Sequence, residues 1–190
     1  MATGEIILNG DHLIYAGIGS RSISFEVMKT ITSISEILSE MGVILRSGGA
    51  NGCDLAFERG AKLKEIFLPW AGFNNNKSPY DSPSQKATEI AKQFHPNWGA
   101  LSAPAKLLMA RNSHQIFGID FKKKSDFVLC WTPDGCEDGS KTSRETGGTG
   151  QALRIAFAYE IPIFNLKNKT ALNRLEDFLK ERSLNDLSSN

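Results

Sequence analysis

Gly147-Gly148-Thr149-Gly150-Gln151 is the stretch from which the fold is read. The run Asp126 to Cys130, apolar after its first residue, lies upstream of it, and the amphipathic run Leu153 to Tyr159 follows. That order is the order of a buried strand feeding a helix. A helix starting on such a turn aims unpaired backbone N–H groups and the positive end of its dipole at one spot, where an anion is the natural occupant. Two earlier turns repeat the arrangement: Gly17-Ile18-Gly19-Ser20-Arg21 after Leu13 to Ala16, and Ser47-Gly48-Gly49-Ala50-Asn51-Gly52 after Val43 to Leu45. In an open parallel sheet all three turns lie at the carboxyl ends of strands, where α/β proteins bind ligands. The sequence therefore predicts an α/β fold, an open and mostly parallel sheet with helices on both faces, whose three turns converge on a phosphorylated nucleotide.

Composition sets the bounds. The 190 residues are 41% hydrophobic and 23% charged, which describes an ordinary globule. One domain over 1–190 is expected, with its core at about 12–181. A net charge of +1 argues against heavy non-specific nucleic-acid binding, while leaving a local basic patch open. Cys53, Cys130 and Cys136 are odd in number and lack CxxC spacing, so neither a disulfide framework nor a zinc site is expected, and no metal is called for. No leader opens the chain and no apolar run approaches the roughly 18 residues of a membrane span, so a cytoplasmic location is expected.

The remaining stretches fit the alternation. Ile6-Ile7-Leu8 before Asn9-Gly10 reads as an edge strand or a mobile start, and His12 to Ala16 as the first buried strand. Val27, Met28, Ile31, Ile34, Leu38 and Met41 recur at helical spacing, with Ser22 or Ser24 to cap the start and Gly42 to end it. A helix from Cys53 to Leu63 and a strand from Lys64 to Leu68 come next. Trp70, Phe73 and Tyr80 punctuate a turn-rich loop, either folded onto the protein's own surface or forming a wall that stacks on a base. Helices are expected at Pro83 to Phe94 and Pro104 to Phe117, the second carrying the polar run Ala110 to Gln115. Lys122 to Lys124 suits a helix end. Thr132 to Thr146 reads as a polar lid or disordered tip. Strand Pro162 to Leu166 and a helix from about Thr170 to Lys180 finish the pattern, with Ser183 to Asn190 as a loose end.

Four of these motifs, in order, resemble those of a known superfamily. Tyr15-Ala16-Gly17-Ile18-Gly19-Ser20-Arg21, Arg46-Ser47-Gly48-Gly49-Ala50-Asn51-Gly52-Cys53-Asp54-Leu55-Ala56, Ala110-Arg111-Asn112 and Thr146-Gly147-Gly148-Thr149-Gly150-Gln151-Ala152 look like the successive motifs of the SLOG superfamily. It groups the DNA-processing protein DprA (Smf), the LOG phosphoribohydrolases and related Rossmann-like proteins. The Ser-Gly-Gly-Ala-x-Gly-x-Asp segment is closest to the DprA side and to small stand-alone relatives often carried by phages. The likeness runs from about Tyr15 to Phe164 and implies a Rossmann-like fold and a homo-oligomer.

For function the resemblance leaves three classes open. The first is a binding protein for a phosphorylated nucleotide or ADP-ribose-type molecule, in a phage a sponge against host defence acting in the host cytoplasm. It requires no cofactor. The second is DprA-like binding of single-stranded DNA, with Arg21, Arg46, Arg111, Arg144 and Arg154 as a basic pocket and Trp70 or Tyr80 to stack a base. The third is a LOG-like N-glycosidase acting on nucleoside monophosphates. LOG enzymes follow their glycine turn with Thr and, three residues on, a catalytic glutamate, whereas Gln151 and Arg154 stand at those positions here. Arginine cannot manage water or stabilise an oxocarbenium-like sugar as a carboxylate does, which leaves Glu145 and Asp54 as the candidate catalytic residues. Asp54 also suits the first turn of its own helix, a purely structural role. In the binding reading, backbone N–H groups around Gly17 to Ser20 (with Gly19), Gly48 to Asn51 (with Gly49 and Ala50) and Gly148 to Gln151 (with Thr149 and Gly150) hold phosphates, and Ser47 and Gly147 belong to the same ligand-binding set. Arg21 and Arg111 supply charge, Asn51, Asn112, Thr149 and Gln151 orient sugar or base, Asp54 sits beside them, and an aromatic of the Trp70 to Tyr80 loop or Trp131 offers a stacking face.

Overall fold

The computed structural model describes residues 12–188 of the chain, so the expected Ile6 to Leu8 strand lies outside the described residues. Five strands, β1 (Ile14–Gly19), β2 (Ile44–Ser47), β3 (Lys64–Ile66), β4 (Phe127–Trp131) and β5 (Ile163–Asn165), form one sheet in the order β3-β2-β1-β4-β5. Every pairing is parallel, with Tyr15 opposite Leu45 on one side and Phe127 on the other. The helices are α1 (Phe25–Glu40), α2 (Cys53–Gly60), α3 (Gln85–Phe94), α4 (Ala103–Phe117), α5 (Thr149–Ala158) and α6 (Ala171–Ser188). The strand order reverses between β1 and β4, and a reversal of this kind opens a crevice outside the carboxyl ends of the two strands.

Side-chain alternation along each strand assigns the helices to two layers. Tyr15, Leu45, Phe127, Leu129 and Phe164 point to one face, where Ile31 and Leu38 of α1, Phe57 of α2 and Leu175 and Leu179 of α6 cover them. Ala16, Ile18, Val128, Cys130 and Ile163 point to the other, under Ile116 of α4 and Leu153 and Ile155 of α5. Phe127 anchors the first layer, stacked on Tyr15 at 5.5 Å and edge-on to Phe164 and Phe178. Its full burial contributes about 2–3 kcal/mol. The Tyr15 hydroxyl, wholly buried, pairs with Ser35 Oγ at 2.8 Å, and the Ser35 hydroxyl also lies 2.7 Å from the Phe57 carbonyl. No polar atom is stranded there.

Local chemistry explains the helix starts. Ser24, Ser84 and Ser102 each accept the third N–H of the helix that follows, and Pro104 sits in the first turn of α4. Helix α2 and helix α5 are different: both begin on a glycine, Gly52 and Gly148, with no side-chain cap. Two expectations are corrected. Helix α6 continues to Ser188 rather than ending near Lys180, with Ser183 Oγ bonded to Leu179 O. The stretch 132–146 is not a disordered tip: Asp134 ties it together, and Cys136, Glu137 and Thr142 bond to Asn165, Arg174 and Arg154 outside it. The Asp134 carboxylate accepts the Thr132 hydroxyl at 2.7 Å, the Ser143 hydroxyl at 2.9 Å, the Cys136 amide at 3.2 Å and the Thr146 hydroxyl.

Among the described residues no helix is long and apolar enough to cross a membrane. No group of three His, Cys, Asp or Glu among them could hold a metal ion.

Candidate functional site

At the β1/β4 reversal lies a cavity of about 290 Å³. The end of β1 and the loop after it, Ile18 to Ser22, form one wall. Thr146 to Thr149, leading into α5, form the opposite rim together with Glu145. Ala50 and Asp54 close the floor from the β2–α2 side, and α4 supplies the back through Leu108, Arg111, Asn112 and Gln115. These four recur at i, i+3, i+4 and i+7, one face of the helix. Phe73, from the turn-rich loop after β3, sits at the mouth with Met109.

The three glycine turns do meet at one rim, but they do not present themselves alike. In the β2–α2 turn two amides are already taken: Gly49 N–H donates to Glu58 Oε1 at 2.9 Å and Ala50 N–H to Asp54 Oδ2 at 3.4 Å. Both acceptors belong to α2, four residues apart and therefore on one face, so this turn folds its donors inward around its own helix. In the β1–α1 turn the Ser20 amide is held by Trp131 O at 3.0 Å. At the start of α5, in contrast, the amides of Gly148 and Thr149 have no acceptor among the described residues. That end of α5 offers two adjacent amides to an anion, and the Arg21 amide across the cavity is also without an acceptor among the described residues.

Several glycines serve closeness rather than ligand contact. A Cβ on Gly17 would meet Leu45 Cδ1 at 2.6 Å and Phe57 Cγ at 2.8 Å, so a bare backbone there lets α2 rest on the sheet. Gly52 has φ +80° and no room beside the carbonyls of Ser20 and Arg21, which brings the first and second turns into contact. On Gly48 an added Cβ would lie 2.5 Å from the Arg111 guanidinium.

Arg111 is buried, contrary to the usual surface arginine. Its Nη1 donates to Gly48 O at 2.6 Å and stands 3.7 Å from Asp54 Oδ2, and its Nη2 donates to Asn112 Oδ1 at 3.1 Å. Asn112 in turn donates to Gly148 O at 3.3 Å, linking α4 to the α5 rim. Burial pushes the Asp54 carboxyl up to about 6 against the pull of Arg111, and burial with the charge of Asp54 pushes Glu58 up to about 7. Asp54 of the floor and Glu58, one turn farther along α2, are therefore a desolvated acid pair, Asp54 held against the Arg111 guanidinium and Glu58 drawn by Lys64. Arg21, exposed on the rim, is the arginine of the lining that makes no ion pair among the described residues.

Of the residues singled out from sequence, Gly19, Ser20, Arg21, Ala50, Asp54, Arg111, Asn112, Glu145, Gly147, Gly148 and Thr149 are brought to the cavity wall. Gly17, Ser47, Gly48, Gly49, Asn51, Gly150, Gln151 and Trp131 stand outside it. Ser47 donates its hydroxyl to Gly17 O, Asn51 is exposed, and Trp131 packs against the first core layer with Lys167 over its ring. Arg46 is bound to Glu65 and the Lys123 carbonyl, and Arg154 to Phe94 O and Thr142, so neither joins a basic pocket. Arg144 is exposed and does not line the cavity. Lys123 reaches His12 O, ahead of β1 and hence at the far end of the sheet. Tyr80 stacks on Phe67 and Trp70 meets Phe73 edge-on, so the aromatic loop folds onto its own surface and still delivers Phe73 to the cavity.

Sequence reading passed over Glu58 and Gln115. Glu58 follows Asp54 at i+4, a spacing that pairs them on one helix face. Gln115 is 1% exposed, lines the cavity, and neither its Oε1 nor its Nε2 has a partner among the described residues; Arg111 Nε is also unpaired. Each such group costs about 1–3 kcal/mol unless something binds it.

No protein-family model matches the chain, and no curated protein sequence does. Among solved structures it is similar to DNA processing protein A from Helicobacter pylori, described for its single-stranded DNA binding mode, with a TM-score of 0.52 and 20% identity over 93% of this chain and 81% of that one. At that identity the likeness is one of fold: the chain has a DprA-like, Rossmann-like α/β fold.

Proposed function

We propose that the chain binds single-stranded DNA, taking one nucleotide at the β1/β4 cavity with its phosphate at the rim and its base inside. The observation that carries this reading is the separation of charge along the cavity. Arg21 and the free amides of Gly148 and Thr149 offer an anion site at the rim. Farther in, Asp54 already occupies the Arg111 guanidinium, so a second phosphate would meet a carboxylate there. A base carries polar edges without net charge and suits that interior. The size agrees, since about 290 Å³ lies at the small end of ligand pockets and accommodates one nucleotide unit rather than a dinucleotide. Fold likeness to a protein that binds single-stranded DNA supports the same reading.

Capture of a free phosphorylated nucleotide or ADP-ribose-type molecule is the second reading. It draws on the same small size and on the lining's balance of two arginines, Arg21 and Arg111, against two carboxylates, Asp54 and Glu145. Titration of a labelled oligothymidylate of about twelve nucleotides at several salt concentrations separates the two. DNA binding predicts an affinity that falls with salt at a slope of about −0.7 per phosphate contact, and Arg21→Ala reduces that slope by about one contact. Binding of mononucleotides with no gain in affinity from a longer strand would instead support the second reading.

A further inference from the structure

We infer that Gln115 is a specificity-determining residue that reads the hydrogen-bonding edge of the base entering the cavity, with Arg111 Nε as a second unpaired donor beside it. The inference rests on the nucleotide-in-cavity reading above. Along the α4 face Arg111 commits both terminal nitrogens, to Gly48 and Asn112, and Asn112 commits its amide to Gly148. The Gln115 backbone carbonyl accepts the Ser125 hydroxyl, but its side-chain amide, buried beside the cavity, commits nothing among the described residues. A polar group buried in this way is destabilising unless a partner completes it; Gln151 is unpaired too but stands outside the cavity, and Gln115 is the glutamine with ligand space beside it. The terminal torsion of a glutamine is soft, so the amide can turn toward a ligand without strain.

A carboxamide sets an acceptor beside donors, and a nucleobase edge sets a donor beside an acceptor, so the two are complementary. A phosphate offers acceptors alone and would face Asp54. Phe73, Leu108 and Met109 add apolar surface for the flat faces of a ring. Single-strand binders indifferent to sequence rely on stacking over several aromatics. Phe73 is the one aromatic among the described residues of this lining, so edge hydrogen bonds carry the recognition.

The test compares oligothymidylate with its counterpart in which difluorotoluene, a shape mimic with no strong hydrogen-bonding edge, replaces thymine. The full wild-type chain is expected to bind the natural oligonucleotide about tenfold more tightly, and Gln115→Leu to bind the two alike while melting no lower than wild type. Gln115→Met serves as the volume-conserving variant if the leucine protein does not fold. Equal wild-type affinities, or a preference that survives loss of the amide, would overturn the inference. Absence of binding to either strand defeats the DNA reading instead. Thymidine 5′-phosphate and its difluorotoluene analogue then decide by melting shift: a rise with the natural nucleotide alone sustains the role of Gln115, and equal or absent shifts end it.

Discussion

Replacing Glu58 by glutamine should stabilise the protein, by an amount that grows as pH rises from about 4.5 to about 7. Glu58 is 9% exposed and accepts the Gly49 amide at 2.9 Å. Burial first, and then the charge of Asp54, push its carboxyl from 4.5 up to about 7. The native state thus holds a proton that the unfolded chain has released between about pH 4.5 and 7. Stability therefore falls as pH rises through that window and is level on either side of it. A carboxyl raised from 4.5 to about 7 corresponds to ~3 kcal/mol, an upper figure because Asp54 shares the titration. Glutamine conserves the shape and the acceptor for Gly49 but carries no charge. Glu58→Gln should gain about 1–3 kcal/mol at pH 8, or about 2–4 °C in Tm per kcal/mol, and almost nothing at pH 4.5. Thermal and urea unfolding at the two pH values measure it. A variant less stable than wild type at pH 8, or one with the same gain at both, would refute the desolvated-acid account of the floor.

Two further outcomes follow from the packing. Gly60→Ala should destabilise by about 1–2 kcal/mol in urea unfolding, because its Cβ would press on the Thr32 carbonyl and lie 2.7 Å from Ser35 Cβ, where α1 and α2 touch. Asp134→Ala removes one acceptor from three hydroxyls and an amide, so hydrogen exchange should quicken across 143–150 with little change in global stability. Oligonucleotide affinity should fall with it, since that segment forms the rim; unchanged exchange there would show that the loop is held by something else.

The layers were legible because their signals are local. Ser24 before a helical apolar period, Pro104 at a first turn and short apolar runs before glycine turns each determine an element within a few residues. Helix α6 was cut short because Ser183, Asn185, Asp186 and Ser188 read as a polar tail. The rim was legible from the glycine turns, but not the direction in which each turn aims its amides. That depends on where Asp54 and Glu58 point once α2 is docked, and on Arg111 arriving from α4 far along the chain. Gln115 escaped for a similar reason. The polar run from Ala110 to Gln115 stands out in the sequence, but which of its side chains stays unpaired is decided only once the fold buries it.

The most direct test of the shared rim is an amide-resolved NMR titration of the full chain with oligothymidylate. Gly148, Thr149 and Arg21 should shift together on binding, while Gly49 and Ala50, whose amides are held by Glu58 and Asp54, should stay close to their free positions. Shifts confined to Gly49 and Ala50, or gathered at the opposite end of the sheet near Lys123, would contradict the account.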